Sequence, residues 1–468
     1  MSGILNVRDF NLTHCVLMTG AGDIDLRLIM VEISYHEDIF NNTASGYILI
    51  SESQGYAEGL GLNGNEFLHL TFNKGGDTSR QIDRYMRVYK LDKRKLEENI
   101  ATESYCLQFC SEELFLSEQY KISKSYTNMS IDQIILDICT MKPGLNISPN
   151  KLNPDNIKKS YGTYDFIVPN LKPLDAINWL CVYALPGPDV PGADMIFFEN
   201  KNGFNFTSLQ NLMDAKDVEV YDIYTYDPKN VHGIGNQDIT EQMSNALSYE
   251  ILNSYDTLYG VNSGVFANQL ISVDILTRTR KTTNFDYFAY FNGDNGPPSL
   301  GLDDNPIINN YANRNGDQLN QTSQAVLKLV FSNFDEHNPT YSALTNGWNP
   351  PANYPTGSSS IAPNINAETY IPWRTAQLSL DNYIRLKLTL PGDPDLTIGS
   401  VIKFDLLSNN PGTRTPNAYY SGYYLVTAVR HVINQNEYRT IIEIAKESVR
   451  SKYFNTPNSN DWKVALTS

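Results

Sequence analysis

The chain is poor in the residues that would tie a fold together covalently. Its five cysteines (Cys15, Cys106, Cys110, Cys139 and Cys181) are few for 468 residues, odd in number and scattered. That pattern argues against a disulfide framework and makes reduced thiols the expectation. Long apolar runs are missing as well: none approaches the roughly 20 residues that a membrane-spanning helix requires. The opening stretch Met1–Cys15 has no basic-then-apolar signal pattern, so synthesis and assembly in a cytoplasm, without specific membrane binding, are expected. Dense Lys/Arg blocks are also absent, and the formal charge is −16. A protein that grips nucleic acid neutralises phosphates with clustered cations, so specific DNA or RNA recognition is not expected. An acidic wall would instead suit a pore through which DNA slides without sticking.

What is present points to β structure. Hydrophobic residues make up 41% of the chain, enough for real cores, and tyrosine is abundant at 30 copies against 4 tryptophans. Tyrosine suits half-buried pleated surfaces and interfaces. The length allows two to four domains of about 100–200 residues each.

Residues 14–123 are rich in strand signals. Ile24, Leu26, Leu28 and Met30 alternate with Asp25 and Arg27, the period of a half-buried strand. Gly46–Ile50, Phe67–Phe72, Tyr85–Leu91 and Tyr105–Cys110 follow, with Arg94–Ala101 a candidate short helix. The period then changes. Ser130 can cap a helix that places Ile131, Ile134, Ile135 and Ile138 on one face, and Pro173 can open another with Leu174, Ile177, Cys181 and Ala184 inward. Asn200-Lys201-Asn202-Gly203 between two apolar runs is a hairpin signal. Strand texture resumes at Tyr249–Asp256 and Asn268–Arg278. It is interrupted by stretches crowded with Asn, Gly, Pro and Ser around one ordered piece near Ala325–Phe331, and it returns between Gln377 and Lys446. The division expected is a first β-barrel over 1–123, an α+β connecting unit over 124–240, the start of a second barrel over 241–285, a loop-rich insertion over 286–372, the remainder of the second barrel over 373–450, and a mobile tail over 451–468. The two strand-rich modules show no residue-level repeat.

Chemical motifs give little. Gly59-Leu60-Gly61-Leu62-Asn63-Gly64 matches a dinucleotide fingerprint, but that motif must open a helix, whereas here it leads into a strand signal at Glu66–Leu70. A hairpin loop is the better reading. Cys106 and Cys110 share a strand face but lack the second ligand pair that zinc needs. No serine lies in a nucleophile elbow, and the six histidines form no metal motif. His431 and Asp393 are read as architectural. No catalytic, cofactor-binding or metal-binding residue is assigned, and no enzyme activity is expected.

Several stretches, taken in order, carry a family likeness. They are Trp373–Leu378, Leu390-Pro391-Gly392-Asp393, Ile398–Ile402, Ser421–His431, Tyr438-Arg439-Thr440 and Lys446-Glu447-Ser448. Together they resemble the hub proteins of contractile phage tails, those of T-even-like and marine myoviruses especially. Asp165–Pro169, Pro173–Leu180 and Phe197–Phe204 are similar to the connecting domain of such hubs, and Gly264–Ala267 with Asp274 to the beginning of their second barrel. The resemblance implies a mainly β fold with two tail-tube-like barrels. It also implies a virion baseplate location and a homotrimer whose six barrels match a hexameric tail tube on one side and a trimeric central spike on the other. Baseplate wedge and tape measure proteins are further implied neighbours, and DNA would meet the chain only in passage. Alternatives are the hub of a related secretion or injection device, or a tail-borne enzyme that degrades cell wall.

Overall fold

The computed structural model describes residues 9–75, 79–96, 102–187, 192–213, 220–227, 242–274, 278–292, 303, 305–310, 317–321, 327–331, 360–361, 367–380, 382–407 and 415–450. Among them the chain is mainly β: two barrel-like modules share one large sheet, with a small α+β unit packed beside them.

The first module consists of β1 (Asn11–Thr19), β2 (Gly22–Asp25), β3 (Met30–Asp38), β4 (Ser45–Glu52), β5 (Phe67–Asn73), β6 (Gln81–Leu96) and β7 (Glu103–Cys110). Their spatial order is β3-β4-β7-β6-β5-β1-β2, antiparallel throughout. Alternation sends Ile33, Tyr35, Ile48, Ile50, Leu70, Phe72 and Phe109 into one core, as a period of two requires. Two expectations are corrected here. Ile24–Met30 is not one strand, because Asp25 accepts the Arg27 N–H and starts a 3₁₀ turn over Leu26–Leu28 that leaves Leu28 exposed. A side chain that bonds its own backbone competes with the ladder. Arg94–Leu96 continue the strand β6 rather than begin a helix, and the rest of that stretch lies outside the described residues.

The α+β unit holds a helix over Glu112–Gln119, β8 (Ile122–Met129), a helix over Ile131–Thr140, β9 (Thr163–Leu171), a helix over Pro173–Tyr183, and the hairpin β10 (Met195–Asn200) and β11 (Gly203–Ser208). Ser130 and Gln133 form a reciprocal capping box, which satisfies two otherwise orphaned N–H groups. The isoleucine stripe of that helix packs with Leu174, Ile177, Leu180, Phe197 and Phe206 in a second core.

The second module contains β12 (Val220–Tyr226) and β13 (Ser248–Asn253). Next come β14 (Ala267–Asp274) and β15 (Thr279–Asp286), expected in the second barrel but lying outside its sheet, and then, within 286–372, β16 (Asn305–Pro306), β17 (Leu327–Phe331) and β18 (Ser360–Ile361). The module resumes with β19 (Ile384–Pro391), β20 (Val401–Leu406), β21 (Gly422–Asn434) and β22 (Tyr438–Lys446). Its order is β13-β19-β22-β21-β20-β12. The ends of this set meet where Thr225 bridges Asn245 and Ala246 N–H donates to Thr225 O at 2.8 Å, so the strands curl around a third core. β12, read from the sequence with the connecting unit, instead pairs in parallel with β20. Gln377–Leu380, read as the start of the strand block, ends a helix over Ala367–Leu380. Ala, Gln and Leu favour helix, and the segment lacks alternation. Most of 286–372 lies outside the described residues, although β14, β15 and β17 form a three-stranded sheet at its border.

A repeat that no residue pattern displays is plain in the wiring. In chain order and in space, β3-β4-β7-β6-β5-β1 corresponds to β13-β19-β22-β21-β20-β12. Both long strands, β6 and β21, change partner midway and carry a bulge at the same place, between Val88 and Lys90 and between Val426 and Ala428. The correspondence has one exception: β12 runs parallel to β20, whereas β1 runs antiparallel to β5. The modules join where β21 pairs β3, from Ala428 opposite Asp38 to Asn434 opposite Glu32.

Candidate assembly site

The seam between β21 and β3 has two chemically different faces. On the outer face Arg430 of the second module reaches three groups of the first. Its Nε donates to Ser34 Oγ at 2.8 Å, an Nη2 hydrogen donates to Tyr47 Oη at 2.8 Å, and the same nitrogen lies 3.8 Å from Glu32 Oε1. Tyr47 in turn donates to Glu32 at 2.6 Å. Ser34 Oγ is 3.0 Å from His36 Nε2. Burial, then the nearby Arg430 guanidinium, pushes His36 down to about 4, so this imidazole is neutral at pH 7. A recess of about 740 Å³ opens here, with Glu32, His36, Tyr47, Tyr89, Arg430 and Glu443 among its walls. Charges across this face are matched: Lys90 with Asp92 at 2.9 Å, Lys387 with Glu250 at 3.6 Å, Arg439 with Glu437 at 2.6 Å, and Arg385 with Glu443.

The inner face is a buried polar junction of all three units. Its centre is the tight turn Asn200–Gly203 of the β10–β11 hairpin. Arg84 of β6 donates to Asn200 O at 2.6 Å and Lys201 O at 2.9 Å, with Glu199 3.9 Å from its other terminal nitrogen. Glu199 also receives Ala44 N–H at 3.2 Å and the Ser111 hydroxyl, and Lys151 lies 3.3 Å away while bonding Glu113 at 2.9 Å. From the second module, the Thr397 hydroxyl donates to Glu37. Burial raises the Glu37 carboxyl, opposed by that Thr397 bond and by Arg84. Arg80 and Lys201 flank Asp395, and Tyr221 donates to Asp393 at 2.8 Å. Gly203 sits at φ +116°, where a Cβ would lie 2.2 Å from Lys151 O. Glycine is required here by both dihedral and space.

The residues that tempted a chemical reading fall as follows. The Gly59–Gly64 loop ends a short helix and leads into β5, and the Glu66 carboxylate receives the N–H groups of Asn63 and Gly64, both at 2.9 Å. Amides that a phosphate would need are thus occupied. Cys106 and Cys110 lie on the outer face, buried, and burial pushes the Cys110 thiol up to about 12, away from thiolate reactivity. His431 is 1% exposed, bonds the Tyr438 hydroxyl at 2.8 Å through Nδ1, and is pushed down to about 3 by burial and then by Lys201. Asp393 belongs to the Arg80–Tyr221 contacts. Among the described residues no group of three His, Cys, Asp or Glu side chains is placed to hold a metal ion. Arg84, Glu37, Glu199 and Lys151 were not singled out from the sequence. Parity held a signal for two of them: Arg84 falls in the inward series Ile82, Met86, Val88, and Glu37 in the series Ile33, Tyr35.

No family model matches the chain, and no curated protein matches it in sequence. It does superpose on solved structures. The tail protein from Neisseria meningitidis MC58 aligns with a TM-score of 0.50 at 8% identity, over 93% of this chain and 96% of that one. The 43 kDa tail protein of prophage MuSo2 from Shewanella oneidensis gives 0.49 at 8% identity, over 93% and 99%. The E. coli c3393 protein, a component of the type VI secretion system, gives 0.42 at 9% identity, over 96% and 79%. The chain shares the fold of the Neisseria tail protein across nearly the whole length of both.

Proposed function

We propose that the chain is a non-catalytic hub subunit of a contractile phage-tail baseplate. In this reading three copies close a ring of six barrels, joining a hexameric tail tube to a trimeric central spike and lining the channel that DNA traverses. The observation that carries it is the doubled wiring: one chain supplies two copies of the same strand arrangement, already fused through β21 and β3 into one sheet. Two equivalent modules per chain are what a trimer needs to meet a sixfold partner. The charge-matched outer face suits a passage that neither binds nor strongly repels a polyanion. Light scattering on the purified protein should give the mass of a trimer, and micrographs a ring with six lobes that binds tail tube and spike proteins. A monomer at all concentrations that binds neither would refute the proposal. Loss of turbidity in a peptidoglycan suspension, abolished by one carboxylate substitution, would refute the non-catalytic part.

A further inference from the structure

One polar site lies inside a core rather than at a seam. An enclosed cavity of about 20 Å³ is walled by the helix over Tyr287–Phe291, the helix over Ala367–Leu380 and Glu447, which follows β22. Trp373, Phe291 and Leu380 make much of the wall apolar, yet Tyr290 and Gln377 bring polar groups to it. These two residues are 7% and 3% exposed. Among the described residues, neither Tyr290 Oη nor Gln377 Oε1 has a hydrogen-bond partner. The Gln377 amide nitrogen is already committed, donating to Gln210 Oε1 at 2.6 Å. The Tyr290 ring packs against Trp373 and Phe285, with centroids 4.7 and 5.6 Å away, so packing fixes where its hydroxyl ends. Burial, then Asp194 and Glu447, raises that hydroxyl well above its ordinary range, so it is an O–H donor at pH 7.

We propose that one water molecule is a fixed part of this core, accepting the Tyr290 O–H and donating to Gln377 Oε1. Its second hydrogen goes to the Glu447 carboxylate on the same wall. Buried hydroxyl and amide oxygens are almost always paired, because a stranded one gives up its hydration for nothing. A water needs a cavity of at least about 10–15 Å³ and about two to four polar partners, whereas a purely apolar cavity stays dry. This cavity has room for one water and offers it Tyr290, Gln377 and Glu447. A metal ion fits less well. Calcium takes about six to eight oxygens, and among the described residues no group of three His, Cys, Asp or Glu side chains is placed to hold an ion. The bridge ties together the helix that follows β15, the helix that precedes β19 and the end of β22. Tyr290 and Gln377 do not bond each other directly, so the water is what couples them. The site lies within one chain and does not depend on assembly.

A high-resolution crystal structure of the full chain tests this directly. It should show one density peak about 2.6–3.0 Å from both Tyr290 Oη and Gln377 Oε1. A mutant cycle tests the coupling. Tyr290→Phe and Gln377→Met should each lower the melting temperature by about 2 °C or more. The double variant should lose clearly less than the sum of the two, because both residues share one partner. No peak in an ordered wild-type cavity would overturn the proposal, as would a direct hydrogen bond between Tyr290 and Gln377. A peak held at about 2.3–2.6 Å by the Glu447 carboxylate, as calcium would be, overturns it too, and so do additive losses in the cycle. The wild-type density decides the matter even where a variant fails to fold.

Discussion

Replacing Arg84 by methionine should be among the most damaging single changes to the first module. The guanidinium is nine-tenths buried and makes two short charge-assisted bonds to the carbonyls of Asn200 and Lys201, with Glu199 and Glu37 close by. Each such bond contributes about 1.5–3 kcal/mol. Removing the cation also leaves buried carboxylates short of a counter-charge, which in comparable buried pairs costs about 3–5 kcal/mol in total. We expect a loss of about 4 kcal/mol, read from urea denaturation of wild type and Arg84→Met by tryptophan fluorescence. Lys387→Ala is the control, since its pair with Glu250 is 41% and 64% exposed and such surface pairs contribute at most about 1 kcal/mol. If Arg84→Met and Lys387→Ala lost the same amount, the junction would not be what fastens the α+β unit to the first module.

Two further outcomes follow from groups already described. His36 and His431, pushed down to about 4 and about 3 from 6.5, stay neutral when folded but bind protons when unfolded. Stability therefore falls as pH drops below 6.5, by about 2 kcal/mol for each imidazole between pH 7 and 5. Asp194, fully buried and raised by that burial to about 6, acts oppositely and returns about 1 kcal/mol over the same interval. Urea midpoints should therefore fall further between pH 7 and 5 in wild type than in His36→Gln, and an equal shift in both would contradict the buried-neutral reading. Gly203→Ala should cost about 3 kcal/mol or prevent folding, since it adds a Cβ 2.2 Å from Lys151 O at a positive φ where L side chains are strained. A soluble variant with wild-type melting would show that the turn can move.

The sequence by itself determined the local elements whose side chains announce them. Ser130 and Gln133 cap their helix because both partners lie within one turn of chain. Asn200–Gly203 makes its hairpin because glycine is the residue that tolerates the turn. Alternation from Ile384 to Leu390 fixed which face of that strand is buried, and it could have flagged Arg84 and Glu37 as charges on inward faces. It misread Leu26–Leu28, where one aspartate side chain overrode the period. Only the tertiary structure decided that β12 belongs to the second module, that β3 pairs with β21 some 400 residues away in sequence, and that the two modules share one wiring. Pairing between strands is made by backbone N–H and C=O groups that every residue carries, so it leaves no mark on residue identity. The junction around Asn200–Gly203 was illegible for a related reason: its charges acquire partners only when three units converge, and in the linear chain they look like any solvated Lys, Arg or Glu.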